Sequence, residues 1–141
     1  MTRFIVDNPK TAKTVLDSER LTIEEGRYIA LDAAETLSTI MLNDAPDPAL
    51  FGRLLGDLIA KTTKATKKKH ARVALFGECV HLLCAQGKTE AAIQVEKAGN
   101  LLIKRYNVDI RCGYPLGSLQ GEQGNQVLQQ ICAEHSAVFS Q

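Results

Sequence analysis

Residues 71–78 read Ala71-Arg72-Val73-Ala74-Leu75-Phe76-Gly77-Glu78. Ala71 to Phe76 is a nearly continuous apolar run, and helical patterns flank it on both sides. Such a run suits the interior strand of a parallel sheet covered on both faces. Gly77-Glu78 then reads as a tight strand-to-helix junction. An acid here stands at the carboxyl edge, where open α/β sheets hold their ligands.

Working back from this strand, Asp47-Pro48 is a strong helix start, with an N-cap carboxylate and proline in the first turn. Leu50, Phe51, Leu54, Leu55, Leu58 and Ile59 follow as a wide apolar stripe fit to pack on a sheet. Lys61, Lys64, Lys67, Lys68, Lys69 and Arg72 close that helix against its dipole. Earlier still, Asp32-Ala33-Ala34-Glu35 reads as a capping box before a short helix with Leu37, Ile40 and Met41 on its apolar side. Asn43-Asp44-Ala45-Pro46 reads as a loop. Tyr28 to Leu31 and Phe4 to Val6 read as short strands, joined by a helix from Pro9 to Arg20 with Ala12, Val15 and Leu16 on one face.

Working forward, a helix runs through Val80, Leu83 and Cys84 to Gly87. A second starts near Thr89, buries Ala91, Val95, Ala98 and Leu102, and ends at Tyr106-Asn107. Val108, Ile110, Cys112 and Tyr114 alternate with Asp109, Arg111 and Gly113, which is the period of a strand. Pro115-Leu116-Gly117 ends it, and a last helix spans about Gln123 to Phe139. Strands separated by helices give one α/β domain over residues 1–141, a mainly parallel sheet flanked by helices.

The 141 residues are 45% hydrophobic and 23% charged, with 17 basic against 16 acidic residues, a formal net charge of +1. That balance gives no argument for nucleic acid or an anionic membrane. No apolar run approaches a bilayer span. The N-terminus reaches charge and Pro9 too soon for a signal peptide, so a cytoplasmic location is expected. Cys79, Cys84, Cys112 and Cys132 sit in apolar segments, as reduced buried thiols do. Tryptophan is absent and only 5% of residues are aromatic, leaving little for base stacking.

Gly87-Lys88-Thr89 looks like the end of a phosphate loop, but the position five residues before the Gly-Lys pair is Leu82, inside a helix. A helix–helix turn with Gly87 as C-cap explains it better. His81, Cys84, Cys132 and His135 offer two pairs at helical i, i+3 spacing, a conceivable four-ligand zinc set. Buried thiols and a core-edge histidine explain them more simply. The basic cluster from Lys61 to Arg72 reads as a solvated helix end. Glu78, partly desolvated at the strand tip, is the leading ligand contact, with a helix-dipole role as its rival. Glu96 and Asn100 equally make an ordinary surface pair, and Cys112 and Tyr114, sharing one strand face, fit core packing better than ligand contact. No catalytic constellation emerges, and no cofactor is expected.

The order of segments carries more. Leu31 to Leu37, Pro46-Asp47-Pro48 with Phe51, and Phe76-Gly77-Glu78 with Val80 and Leu83 come first. Gly87 with Glu90-Ala91-Ala92, Glu96 with Asn100, Cys112 to Leu116 and Glu134-His135-Ser136 complete the series. Over about residues 27 to 139 this resembles the MEDS domain, the methanogen/methylotroph sensory domain. The resemblance implies a RecA/KaiC-type layered fold without a working phosphate loop. It also implies a non-catalytic sensory or regulatory role toward a small hydrocarbon-like ligand in signalling or transcription control. Glu78, Cys112, Tyr114, His135 and Glu96 are then the ligand-binding candidates, with a kinase or DNA-binding regulator as output partner. Family members usually carry a further strand–helix unit before the segment at Phe4; its expected absence here would leave a sheet edge or a helix-packing face open, and an open strand edge would favour a homodimer. A degenerate scaffold for dimerisation or docking, and a thiol or zinc sensor using Cys84, Cys132, His81 and His135, are the rival readings. Cys79 and Cys84 stand where bulkier apolar side chains are expected, and Gly99 where the family commonly has an aromatic; such changes would either enlarge a pocket or simply repack the core.

Overall fold

The structure, a computed structural model, describes residues 3–6, 28–65, 72–114, 119 and 121–136. In chain order these form β1 (Arg3–Val6), β2 (Tyr28–Ala30), α1 (Ala33–Ile40), β3 (Met41–Leu42), β4 (Ala45–Pro46), α2 (Pro48–Lys64), β5 (Val73–Gly77), α3 (Cys79–Ala85), α4 (Thr89–Arg105), β6 (Val108–Cys112) and α5 (Gly121–Ala133). The expected helix between β1 and β2 lies outside the described residues.

Four strands make one sheet in the order β2-β1-β5-β6, and every pairing is parallel. Val73 to Phe76 match Arg3 to Val6 on one side, and Val73 to Gly77 match Val108 to Cys112 on the other. The apolar run is therefore an interior strand, as its composition predicts, though it ends one residue later, at Gly77. Val73, Ala74 and Leu75 are all buried, as expected for a strand paired along both edges.

Helices α2 and α4 cover one face. Ile59 of α2 and Leu102 of α4 pack with Val73, Leu75 and Val108 in one cluster. Toward the carboxyl ends of the strands a second cluster joins Leu37 and Ile40 of α1, Phe51 of α2, Val80 and Leu83 of α3, Ala91, Ala92 and Val95 of α4, and Ile131 of α5. The caps follow their chemistry. The Asp32 carboxylate accepts from the Glu35 amide at 2.8 Å, and the Asp47 carboxylate accepts from the Leu50 amide at 2.8 Å. Each satisfies one backbone donor that the first turn leaves open.

Two expectations about local structure change. Residues 43–46 are no irregular loop: Met41↔Pro46 and Leu42↔Ala45 pair antiparallel, and Asn43 and Asp44 take φ of +51° and +64°. Positive φ at both central residues is the turn that matches the twist of a tight hairpin, and Asn and Asp tolerate it best after glycine. The last helix begins at Gly121 and ends at Ala133. His135 therefore lies beyond its end rather than on its inner face, and Val138 and Phe139 lie outside the described residues. No helix among the described residues is long and apolar enough to cross a membrane.

Candidate functional site

At the carboxyl ends of β5 and β6 the sheet and the helices on it do not close completely. They leave a cavity of about 100 Å³ against Leu75, Phe76 and Gly77 of β5 and Ile110 and Cys112 of β6. Phe51, Leu54 and Leu55 of α2 and Val95, Glu96 and Gly99 of α4 complete most of its wall. The lining is almost wholly hydrocarbon, and Glu96 is its charged group.

Glu96 belongs to the buried side of α4. Ala92, Val95, Glu96 and Gly99 fall at i, i+3, i+4 and i+7, one face of a helix. The residue is 7% exposed, and Thr62 is the other buried polar side chain among the described residues. The Thr62 hydroxyl donates to the Leu58 carbonyl at 2.7 Å, so its burial costs little. A buried carboxylate is far more expensive unless its oxygens are compensated.

Tyr114, just after β6, and His135, just after α5, face the two oxygens of Glu96, with Cys112 at the end of β6 beside them. The Tyr114 hydroxyl donates to Glu96 Oε1. Burial, with Cys112 and Glu96 beside it, pushes the Tyr114 phenol well above its usual range, so it stays protonated as a donor. His135 Nε2 lies 3.5 Å from Glu96 Oε2. Its ring stands edge-on to Tyr114, with centroids 6.2 Å apart and planes at 84°. The Cys112 thiol, the Glu96 carboxylate and the His135 ring each bring one atom to within 4.8 Å of the others.

The end of α5 sets His135 in place. Nδ1 of the ring is 2.7 Å from the Ile131 carbonyl. A carbonyl only accepts, so Nδ1 carries the proton there. Asn100 Nδ2 donates to both the Glu134 carbonyl and Glu134 Oε2, each at 2.9 Å, tying this end to α4. Asn100 therefore bonds across to α5, and the expected Glu96–Asn100 surface pair is corrected. An open cleft of about 380 Å³ lies outside, lined by Glu96, Gly99, Asn100, Ile103, Ile110, Glu134 and His135 among others. Glu96, Gly99 and Ile110 border both spaces.

Four of the five candidate residues, Glu96, Cys112, Tyr114 and His135, thus converge. Glu78 does not join them. Its neighbours Gly77 and Cys79 line the cavity, and Glu78 does not. It is the half-buried N-cap residue of α3, with a carboxylate that does not cap that helix. The carboxylate of the hollow comes from α4 instead.

The four-ligand zinc set is corrected as well. Among the described residues, the metal-competent group contains His135 but not His81, Cys84 or Cys132. No disulfide joins any of the four cysteines. Burial, and then the charge of Glu96, pushes the Cys84 thiol up. Gly87, with φ of +73°, ends α3: its amide donates to the Cys84 carbonyl at 3.0 Å, and the Lys88 amide donates to Leu83 at 2.8 Å. Lys88 Nζ meets Asp44 at 2.7 Å. This is the helix–helix turn expected of Gly87-Lys88-Thr89. Of the basic cluster, Lys61 and Lys64 sit in the last turn of α2, Arg72 pairs with Asp109 at 2.6 Å, and residues 66–71 lie outside the described set.

Sequence reasoning did not anticipate the Asn100–Glu134 tie or the Ile131 carbonyl that orients His135. Both depend on where α5 ends, which periodicity fixes poorly. The burial of Glu96 had a usable signal, its place on the Ala92–Val95–Gly99 stripe. No protein-family model, curated protein or solved structure matches the chain.

Proposed function

We propose that the chain is a non-catalytic sensory or regulatory domain of the MEDS kind that binds a small organic, hydrocarbon-like solute. The observation carrying this reading is the hydrocarbon-lined cavity whose polar corner is Glu96 and Cys112, with Tyr114 and His135 set against Glu96 from outside it. An apolar cavity of about 150 Å³ holds benzene, so one of about 100 Å³ suits a solute of a few heavy atoms. Halomethanes and short alcohols are of that size. The polar corner would orient the one functional group such a solute carries.

The outer cleft supplies the route in, past Gly99 and Ile110, where the missing side chain of Gly99 keeps the boundary thin. Occupancy biases the position of α4 and of the α5 end tied to it, since a ligand shifts an equilibrium through its differential affinity for two states. The parallel sheet with α2 and α4 on one face supports a RecA/KaiC-like layering. Output to a kinase, a DNA-binding regulator or a second copy completes the reading.

A thermal-shift screen with small halogenated, alcoholic and carboxylic compounds tests it. A ligand at one hundred times its Kd adds about 2.7 kcal/mol of stability. A folded chain whose melting is unmoved by the whole series contradicts the proposal.

A further inference from the structure

With Nδ1 turned to the Ile131 carbonyl, His135 presents Nε2 to Glu96 Oε2, 3.5 Å away. That separation is longer than a strong charge-assisted hydrogen bond and matches the spacing of two ligands on one metal ion. Tyr114 holds the other oxygen, Oε1, and the Cys112 sulfur stands within 4.8 Å of both ligand atoms.

We infer that Glu96, Cys112 and His135 form a three-ligand site for a divalent transition metal of the zinc class. Thiolate, imidazole and carboxylate together select zinc, cobalt or iron(II) over calcium or magnesium, which take oxygen ligands. In a tetrahedral zinc site, bonds of about 2.0–2.3 Å place ligand atoms roughly 3.3–3.8 Å apart. The His135–Glu96 pair already meets that spacing, and Cys112 closes it by a side-chain movement on the order of 1 Å. The surroundings match those of a metal-binding histidine: its other ring nitrogen donates to a backbone carbonyl, and a hydroxyl orients the carboxylate ligand. Three protein ligands leave one coordination position, as in catalytic and ligand-exchanging metal sites. The inference rests on the sensing reading for its purpose: the metal is the polar anchor for a solute bearing an oxygen or sulfur donor.

The test is titration of the chelator-stripped chain with Co²⁺, followed by competition with Zn²⁺. The site predicts uptake of one equivalent with a thiolate-to-cobalt charge-transfer band, displaced by zinc. Cys112→Ser abolishes the band, His135→Gln weakens uptake at least tenfold, and Cys132→Ser changes neither; circular dichroism verifies that each variant is folded. Absence of saturable uptake overturns the inference, as does a band that survives Cys112→Ser or disappears in Cys132→Ser. Should Cys112→Ser fail to fold, unchanged affinity in His135→Gln overturns it equally. Repeating the solute screen on both the metal-free and the zinc-loaded chain separates the two readings. Solute binding without any metal uptake leaves sensing intact and removes the metal. Metal uptake with a silent screen does the reverse.

Discussion

A carboxylate held 7% exposed among Val95, Gly99 and Ile110 is tolerable only while both oxygens are compensated. Removing the hydroxyl in Tyr114→Phe leaves Oε1 without its donor. The expected loss is about 1–3 kcal/mol of folding stability, read as a lower urea midpoint with an unchanged slope. An unmoved midpoint contradicts the assignment. Cys84 gives a second check at this scale. Its thiol is pushed up by burial and then by Glu96, so little thiolate exists at neutral pH. Iodoacetamide should therefore label Cys84 more slowly in the folded chain than in urea, with mass spectrometry as the readout; equal rates contradict it. Alternation along the strand put Cys112 and Tyr114 on one face but pointed to core packing, and their place beside His135 came from the order of motifs. Of the two acids named, Glu78 stood out because charge beside an apolar strand is conspicuous, whereas charge inside an apolar helical stripe at Glu96 is easily read as surface.

Among the elements, α2 shows how local sequence sets stability. In Asp47→Ala the Leu50 amide loses its acceptor, costing about 1 kcal/mol. Gly52 on the same helix has open space around an added Cβ, whereas at Gly124 of α5 that atom would lie 2.5 Å from the Leu119 backbone. Gly52→Ala is expected to stabilise by about 0.5–1 kcal/mol; Gly124→Ala is expected to destabilise, and thermal melts that rank them otherwise contradict the packing. The β3–β4 hairpin is tied to the turn after α3 by Asp44 and Lys88. The hydrogen bond from Lys88, and then its charge, hold the Asp44 carboxyl below its usual value of 3.8. A depressed acid stabilises above its unfolded pKa and loses that contribution as pH falls through the folded value. The small, salt-sensitive difference between the chain and Asp44→Asn should thus be full at neutral pH and be lost only as pH falls from about 3.8 through the lower folded value. A difference that persists in acid contradicts the pairing. This hairpin was not legible in advance because Asn43-Asp44 lacks the glycine that usually marks such a turn. The strand at residues 73–77 was legible because its apolar run leaves no face for water.

Across the whole molecule, sheet order and the meeting of α4, β6 and the α5 end depend on contacts far apart in sequence, which no local pattern encodes. What the pattern did carry is the alternation of strands and helices, and hence a parallel sheet with its cavity at the carboxyl ends of β5 and β6. The proposed sensing role requires that this cavity, rather than the outer surface, receive a small organic solute. Amide NMR spectra of the chain titrated with a halomethane or a short alcohol test it most directly. Saturable shifts concentrated at Leu54, Leu55, Leu75, Val95, Ile110 and Cys112 are predicted. Shifts scattered over exposed residues, or none that saturate, would contradict it.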